Sequence, residues 1–180
     1  GVAILKGIFD SFKIKKMNYS DGALREGALW DLIGRSGHEN VRQRTVKSMQ
    51  KRFHVNQGQA NRVKECALAM LDQVEKDWKL PSTARKWLLW AAELHEVGLS
   101  ITHHQFQKHG AYLVLHSDMA GFTNQGQELL AVLLKGHRRK FPLAGLEGLS
   151  VMVRQQARYL CLLLRLAAVL NNSRGAVELP

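Results

Sequence analysis

Apolar positions recur at helical spacing along most of this chain. In residues 3–13 (AILKGIFDSFK), Ile4, Ile8 and Phe12 share one helical face with Leu5 beside them, which predicts a short helix. The pattern then changes. Ile14 to Tyr19 predicts a short strand, Ser20-Asp21-Gly22 a turn, and Ala23 to Ile33 a second helix closed by Gly34. Helix, strand, tight turn and helix form the grammar of an α/β domain, but the stretch is too short to close a sheet. It predicts the tail of a larger one. From about Asn40 the pattern is helical throughout, with helices expected near 40–53, 57–78, 82–97, 104–116, 124–136 and 151–171. Short connections carrying Gly, Pro, Asn or Ser join them, and no strand-like alternation intervenes. The expected fold class is therefore mainly α. The domain boundary is expected in the flexible Gly34–His38 stretch, dividing the chain into residues 1–36 and an all-helical domain over 37–180.

Composition narrows the function classes. A hydrophobic fraction of 46% against 23% charged residues is ordinary for a globular protein, so disorder is not the expectation, and 180 residues suffice to bury a core. Lys and Arg number 26 against 15 Asp and Glu, a net charge of +11 and a pI near 10.0. That excess favours a polyanionic partner, whether nucleic acid, an anionic membrane surface or a phosphorylated molecule or polymer. No apolar run reaches the roughly 20 residues that a membrane span needs. Leu160 to Leu170 comes nearest, but Arg165 interrupts it. Cys66 and Cys161 sit inside apolar helical patterns without metal-ligand spacing, so both read as small buried hydrophobes in a reducing compartment. Gly1 opens straight into an amphipathic segment, and Glu178-Leu179-Pro180 ends without terminating logic. The expectation is a chain without a secretory leader, cut from something longer.

Four places could carry chemistry. The first is His95-Glu96, at the end of a helix started by Pro81-Ser82 and stopped by Gly98. Leu88 and Ala91 share the face of His95, so its ring is expected to point into the core. The second is the turn at Asp21-Gly22, where glycine lets backbone approach a ligand and the following helix start offers free N–H groups; Asp21 equally serves as an N-cap. The third is a pair of basic segments. Arg44, Lys47, Lys51 and Arg52 form a stripe at i, i+3/i+4 spacing, with Arg42 nearby, and His137, Arg138, Arg139 and Lys140 form a run past an apolar helix. Both could contact a polyanion or be solvated helix surface. Without interleaved aromatics or a binding motif, nucleic acid is not the expected partner. The fourth is His103, His104 and His109, whose spacing and lack of carboxylates point to surface or capping roles.

Five segments together resemble one family: DGALREGALWDLIGR at 21–35, RQRTVKSMQKRFHVNQGQANRV at 42–63, LLWAAELHEVGLSI at 88–101, HGAYLVLHSDMAGFT at 109–123 and LLRLAAVLNNSRG at 163–175. They look like the end of the actin-like (ribonuclease H-like) region and the following helical domain of exopolyphosphatases and guanosine pentaphosphate phosphohydrolases. The resemblance implies that the helical domain is HD-like, built as are domains that hold a divalent metal with an early His, a His-Asp pair and a late Asp. Here the early His would fall near Asn61 or Arg62, the Asp of the pair is Glu96, and the late Asp falls on Ala168. One imidazole and one carboxylate would hold a metal weakly, so no metal is expected in this segment. The resemblance further implies a cytoplasmic parent hydrolase acting on polyphosphate or guanosine pentaphosphate with Mg²⁺. Its catalytic residues would lie in earlier domains, leaving none to name here. A supporting role is expected for this chain, in polyanion binding and homodimer contacts, without a membrane span though peripheral association with a membrane stays open. Two alternatives remain at this point: a standalone HD-type nucleotide phosphohydrolase and a purely structural dimerisation module.

Overall fold

A computed structural model of the chain describes residues 2–13, 38–139 and 151–173. The chain divides into two compact units, residues 1–37 and 38–180. In the first, α1 (Val2–Phe12) buries none of its residues. The strand expected over 14–19, the turn at Asp21-Gly22 and the helix over 23–33 lie outside the described residues.

The second unit is helical, and its described residues contain no strand. It comprises α2 (His38–Arg52), α3 (Gln57–Val74), α4 (Ala84–Leu94), a 3₁₀ turn (Val97–Ser100), α5 (Phe106–His116), α6 (Asn124–Gly136) and α7 (Val151–Leu170). Caps set two of the starts. The Asn56 side chain accepts from the Gln59 amide at 2.9 Å, and the Thr123 hydroxyl accepts from the Gly126 amide at 3.2 Å, each satisfying an orphan N–H of the first turn. α6 is buried on every side from Leu129 to Leu134, the mark of a helix at the centre of a core. α5 and α7 pack against it, and α3, α4 and α7 pack on one another. Leu71, Leu88, Leu94, Leu130, Leu133, Leu134, Leu160 and Leu164 are the largest fully enclosed aliphatic side chains.

Two expected helices are shorter in the structure. The one expected over 57–78 ends at Val74, and the chain continues through turns to Lys79, whose positive φ of 50° stops helical continuation. The one expected over 82–97 ends at Leu94. There the His95 ring folds back on the carbonyl of Ala92, and the backbone tightens into the 3₁₀ turn.

α2 is the most polar helix of the unit, and it docks through few apolar groups, chiefly Val46 and Met49. Hydrogen bonds do much of the rest. Gln43 accepts from the Trp90 indole N–H at 3.2 Å and donates to the Glu93 carboxylate at 2.9 Å, and Gln50 donates to the Glu93 carbonyl at 2.8 Å. Lys64 from α3 closes the network with an ion pair to Glu93 at 3.5 Å. Arg42 departs from the expected basic stripe. It is half-buried over an aromatic cluster, its guanidinium 5.6 Å from the Trp90 ring and 5.7 Å from Phe122, with Nε donating to the Gly121 carbonyl at 2.8 Å. Arg42→Ala is expected to cost about 1–3 kcal/mol in a urea melt, from a lost cation–π contact and an orphaned carbonyl. Lys47→Ala, exposed on the same helix, should stay within about 0.5 kcal/mol of the parent.

Candidate functional site

Two histidines end two helices in the same way. His95 follows α4 and His137 follows α6, and each turns its Nδ1 onto a carbonyl three residues back: Ala92 at 2.7 Å and Leu134 at 2.6 Å. Those carbonyls belong to the last turn, where no further helical N–H is available to answer them. With Nδ1–H donating, Nε2 of each ring carries the lone pair. Both residues are only 3% exposed, and their rings meet edge to face with centroids 5.7 Å apart. Phe106, at the start of α5, packs on His137 at 5.5 Å and carries the Arg138 guanidinium over its ring at 5.1 Å.

These groups line a cleft of about 320 Å³, joined there by Glu96, by Gln59 from α3, and by Ala168 and Val169 from α7. The structure thus brings His95, Glu96 and Ala168 to one place. At the position of the early ligand the side chain in the cleft is Gln59. Asn61 is exposed and accepts from Lys64, whereas Arg62 is half-buried and donates to the Gln59 amide oxygen at 2.8 Å. The Gln59 amide nitrogen in turn donates to the Asn171 carbonyl at 2.8 Å. The donor set does not suit a metal of the HD type: Ala168 offers no ligand atom, Gln59 offers only a neutral amide oxygen that already accepts from Arg62, and the described residues contain no group of three His, Cys, Asp or Glu placed to hold an ion.

A model of the Ppx/GppA phosphatase family, domain III, matches residues 41–180. The chain belongs to this family. The match covers the helical unit, and the domain is thus the third, helical domain of a family of phosphatases. Among its described residues, no helix is long and apolar enough to cross a membrane.

Within this Ppx/GppA domain the expected polyanion residues separate into two kinds. Arg44, Lys47, Lys51 and Arg52 are exposed on α2, and Arg138 and Arg139 are exposed past α6. His137 is not part of that surface: the helix end turns its ring inward, where the Leu134 carbonyl and the His95 ring receive it. Lys140 lies outside the described residues. His103 and His104 are exposed and His109 is half-buried, and they form no common site. Both cysteines are buried free thiols, and burial pushes the Cys161 thiol up to about 12, which leaves it unreactive.

His137 was hidden in the sequence by its cationic neighbours. The signal that would have found it is the apolar face it shares with Leu130, Leu133 and Leu134, at i−7, i−4 and i−3, the same argument that pointed His95 inward from Leu88 and Ala91. Its environment has a measurable consequence. Burial, aided by His95 and then by Arg138 and Arg165, and opposed by the Leu134 hydrogen bond, lowers its pKa from 6.5 to about 3. The folded value lies below the unfolded one, so the unfolded chain binds the extra proton between the two. Stability from this group is complete above pH 6.5 and is lost as pH falls toward 3, by up to ~1.4 kcal/mol per unit. In urea melts, the stability difference between the parent and His137→Phe should shift against the parent at about that rate from pH 6 to 4. A constant difference would show that His137 does not titrate with unfolding.

Proposed function

We propose that this chain is the polyanion-handling part of an enzyme that removes terminal phosphate from inorganic polyphosphate or guanosine pentaphosphate. Family membership supports the hydrolase class of the parent. The observation that carries the reading for this domain is the exposed basic face of α2. Arg44, Lys47 and Lys51 follow one another at i, i+3 and i+4 spacing on a helix that the Gln43–Glu93 network holds in place. A fixed row of cations suits a ligand carrying about one charge per phosphate, and arginine adds bidentate contact to phosphate oxygens. Arg138 and Arg139 provide a second basic surface. Catalysis is assigned elsewhere in the parent, with Mg²⁺, because the HD positions here combine one histidine and one glutamate with an alanine. On this reading the parent is cytoplasmic and dimeric.

Mixing the chain with polyphosphate and Mg²⁺ tests both halves of the proposal. Binding that weakens steeply with salt, without release of phosphate above a buffer blank, is the expected result. Phosphate release abolished by Glu96→Ala would contradict it and restore the standalone phosphohydrolase. No binding even at low salt would leave a structural module.

A further inference from the structure

The exposed basic row of α2 ends at a second hollow, of about 360 Å³. Lys51 and Arg52 close the helix, and the Arg52 guanidinium lies 5.3 Å from the centre of the Phe53 ring. Phe53 lines the hollow with His54 and Asn56 from the link to α3, and with Ser100 and His103 from beyond α4. The helix end places His54. Its amide donates to the Lys51 carbonyl at 3.3 Å, and the Val55 amide donates to the Gln50 carbonyl at 2.9 Å. Those two carbonyls are thereby answered within the chain and are not turned against an anion. His54 takes a positive φ of 51° to close this turn, where glycine is the usual residue. His54 and His103 are both exposed. Glu96 also lines the hollow, but it is 9% exposed and already has a partner.

We propose that this hollow is a proton-dependent subsite for phosphate groups of the polyanion carried by α2, with His54 and His103 as its cationic contacts. The inference rests on the polyanion reading and deepens it. Histidine is the side chain whose charge changes between pH 5 and 8, whereas lysine and arginine keep theirs throughout that window. At the alkaline end the hollow sets the fixed charge of Arg52 against that of Glu96. Toward the acid end two further positive charges face the ligand. A phosphate beside an imidazole favours its charged form, so binding takes up protons and affinity rises as pH falls. No fixed spacing between the two rings is required. A flexible polymer with about one charge per phosphate meets both wherever they stand around a hollow of this size.

The test is a titration of the whole 180-residue chain with long-chain polyphosphate at pH 8, 7 and 6 and one low ionic strength. The internal phosphates of such a polymer stay ionised across this range, so a change in affinity reports on the protein. Parent affinity should rise about tenfold from pH 8 to 6, as two exposed charge contacts form. His54→Asn with His103→Asn should bind as the parent does at pH 8 and lose most of the rise. Asparagine is chosen because it tolerates the backbone of His54. His103→Asn alone should lose about half of the rise on a logarithmic scale, which keeps the test valid if His54→Asn folds poorly. His104→Asn, exposed beside His103 but not lining the hollow, should keep all of it. A parent affinity that does not change with pH overturns the proposal, as does a rise that the double variant retains. In either case the α2 row can still bind the polymer at every pH, and only the subsite fails. A parent that binds no polyphosphate at any pH removes the polyanion reading and the subsite together.

Discussion

Gly98→Ala should lower the stability of the helical unit by about 3 kcal/mol, the upper end of what overpacking a core costs. A Cβ at this position would meet the carbonyl oxygen of Phe106 and lie 2.5 Å from the amide nitrogen of Gly110. Both atoms are backbone of α5, so no side-chain rotation relieves the contact. Gly110 is tight from the other side, where a Cβ would lie 3.3 Å from Val97. The two glycines mark a crossing at which the 3₁₀ turn passes directly against α5. That crossing also builds the cleft, because Glu96 lies just before Gly98 and Phe106 opens α5. Gly58→Ala is the control. It lies in the exposed first turn of α3 with no contact under 3.4 Å, and alanine there should be neutral or stabilising by up to about 1 kcal/mol. Chemical denaturation of both variants checks the pair, and equal midpoints for Gly98→Ala and the parent would remove the crossing from the account.

The helices were legible in the sequence because their apolar faces are wide and their punctuation is conventional. Asn56 and Thr123 are N-caps, and both starts fall where the pattern places them. The inward face of His95 was equally legible from Leu88 and Ala91. What escaped was tertiary in origin. Nothing in a one-dimensional pattern distinguishes Arg42 from Arg44, yet an aromatic cluster assembled from α4 and the segment before α6 draws in the first and leaves the second at the surface. Arg62 and Gln59 lie less than one turn apart on α3, and only the position of Asn171, at the end of α7, decides that Gln59 faces the cleft. His137 looked like one member of a cationic run because sequence adjacency ignores the change of direction at a helix end. The end of α4 was set too far along for a related reason: the close approach of α5 to Gly98, which tightens the backbone, comes from a distant segment.

The largest effect on function is expected from reversing the basic face of α2. Arg44→Glu, Lys47→Glu and Lys51→Glu together change six units of charge on one stripe of a fixed helix, and polyphosphate affinity should fall by well over tenfold at low salt. The dependence on salt should become shallower as well, since fewer counterions are displaced when the polymer binds. The fold should survive, because the three side chains are exposed and the helix is anchored from its opposite side by Val46, Met49 and Gln50. Arg138→Glu with Arg139→Glu should weaken binding by about an order of magnitude if the polymer reaches both surfaces.

The decisive measurement is a polyphosphate titration of the parent, the α2 triple variant and the Arg138/Arg139 double variant at two ionic strengths, each with a thermal melt as the folding control. The account predicts that both variants melt like the parent, that both bind the polymer more weakly, the triple variant more so than the double, and that both lose part of the salt dependence. A folded triple variant that binds polyphosphate as tightly as the parent, with the same response to salt, would contradict it and leave α2 an ordinary solvated helix.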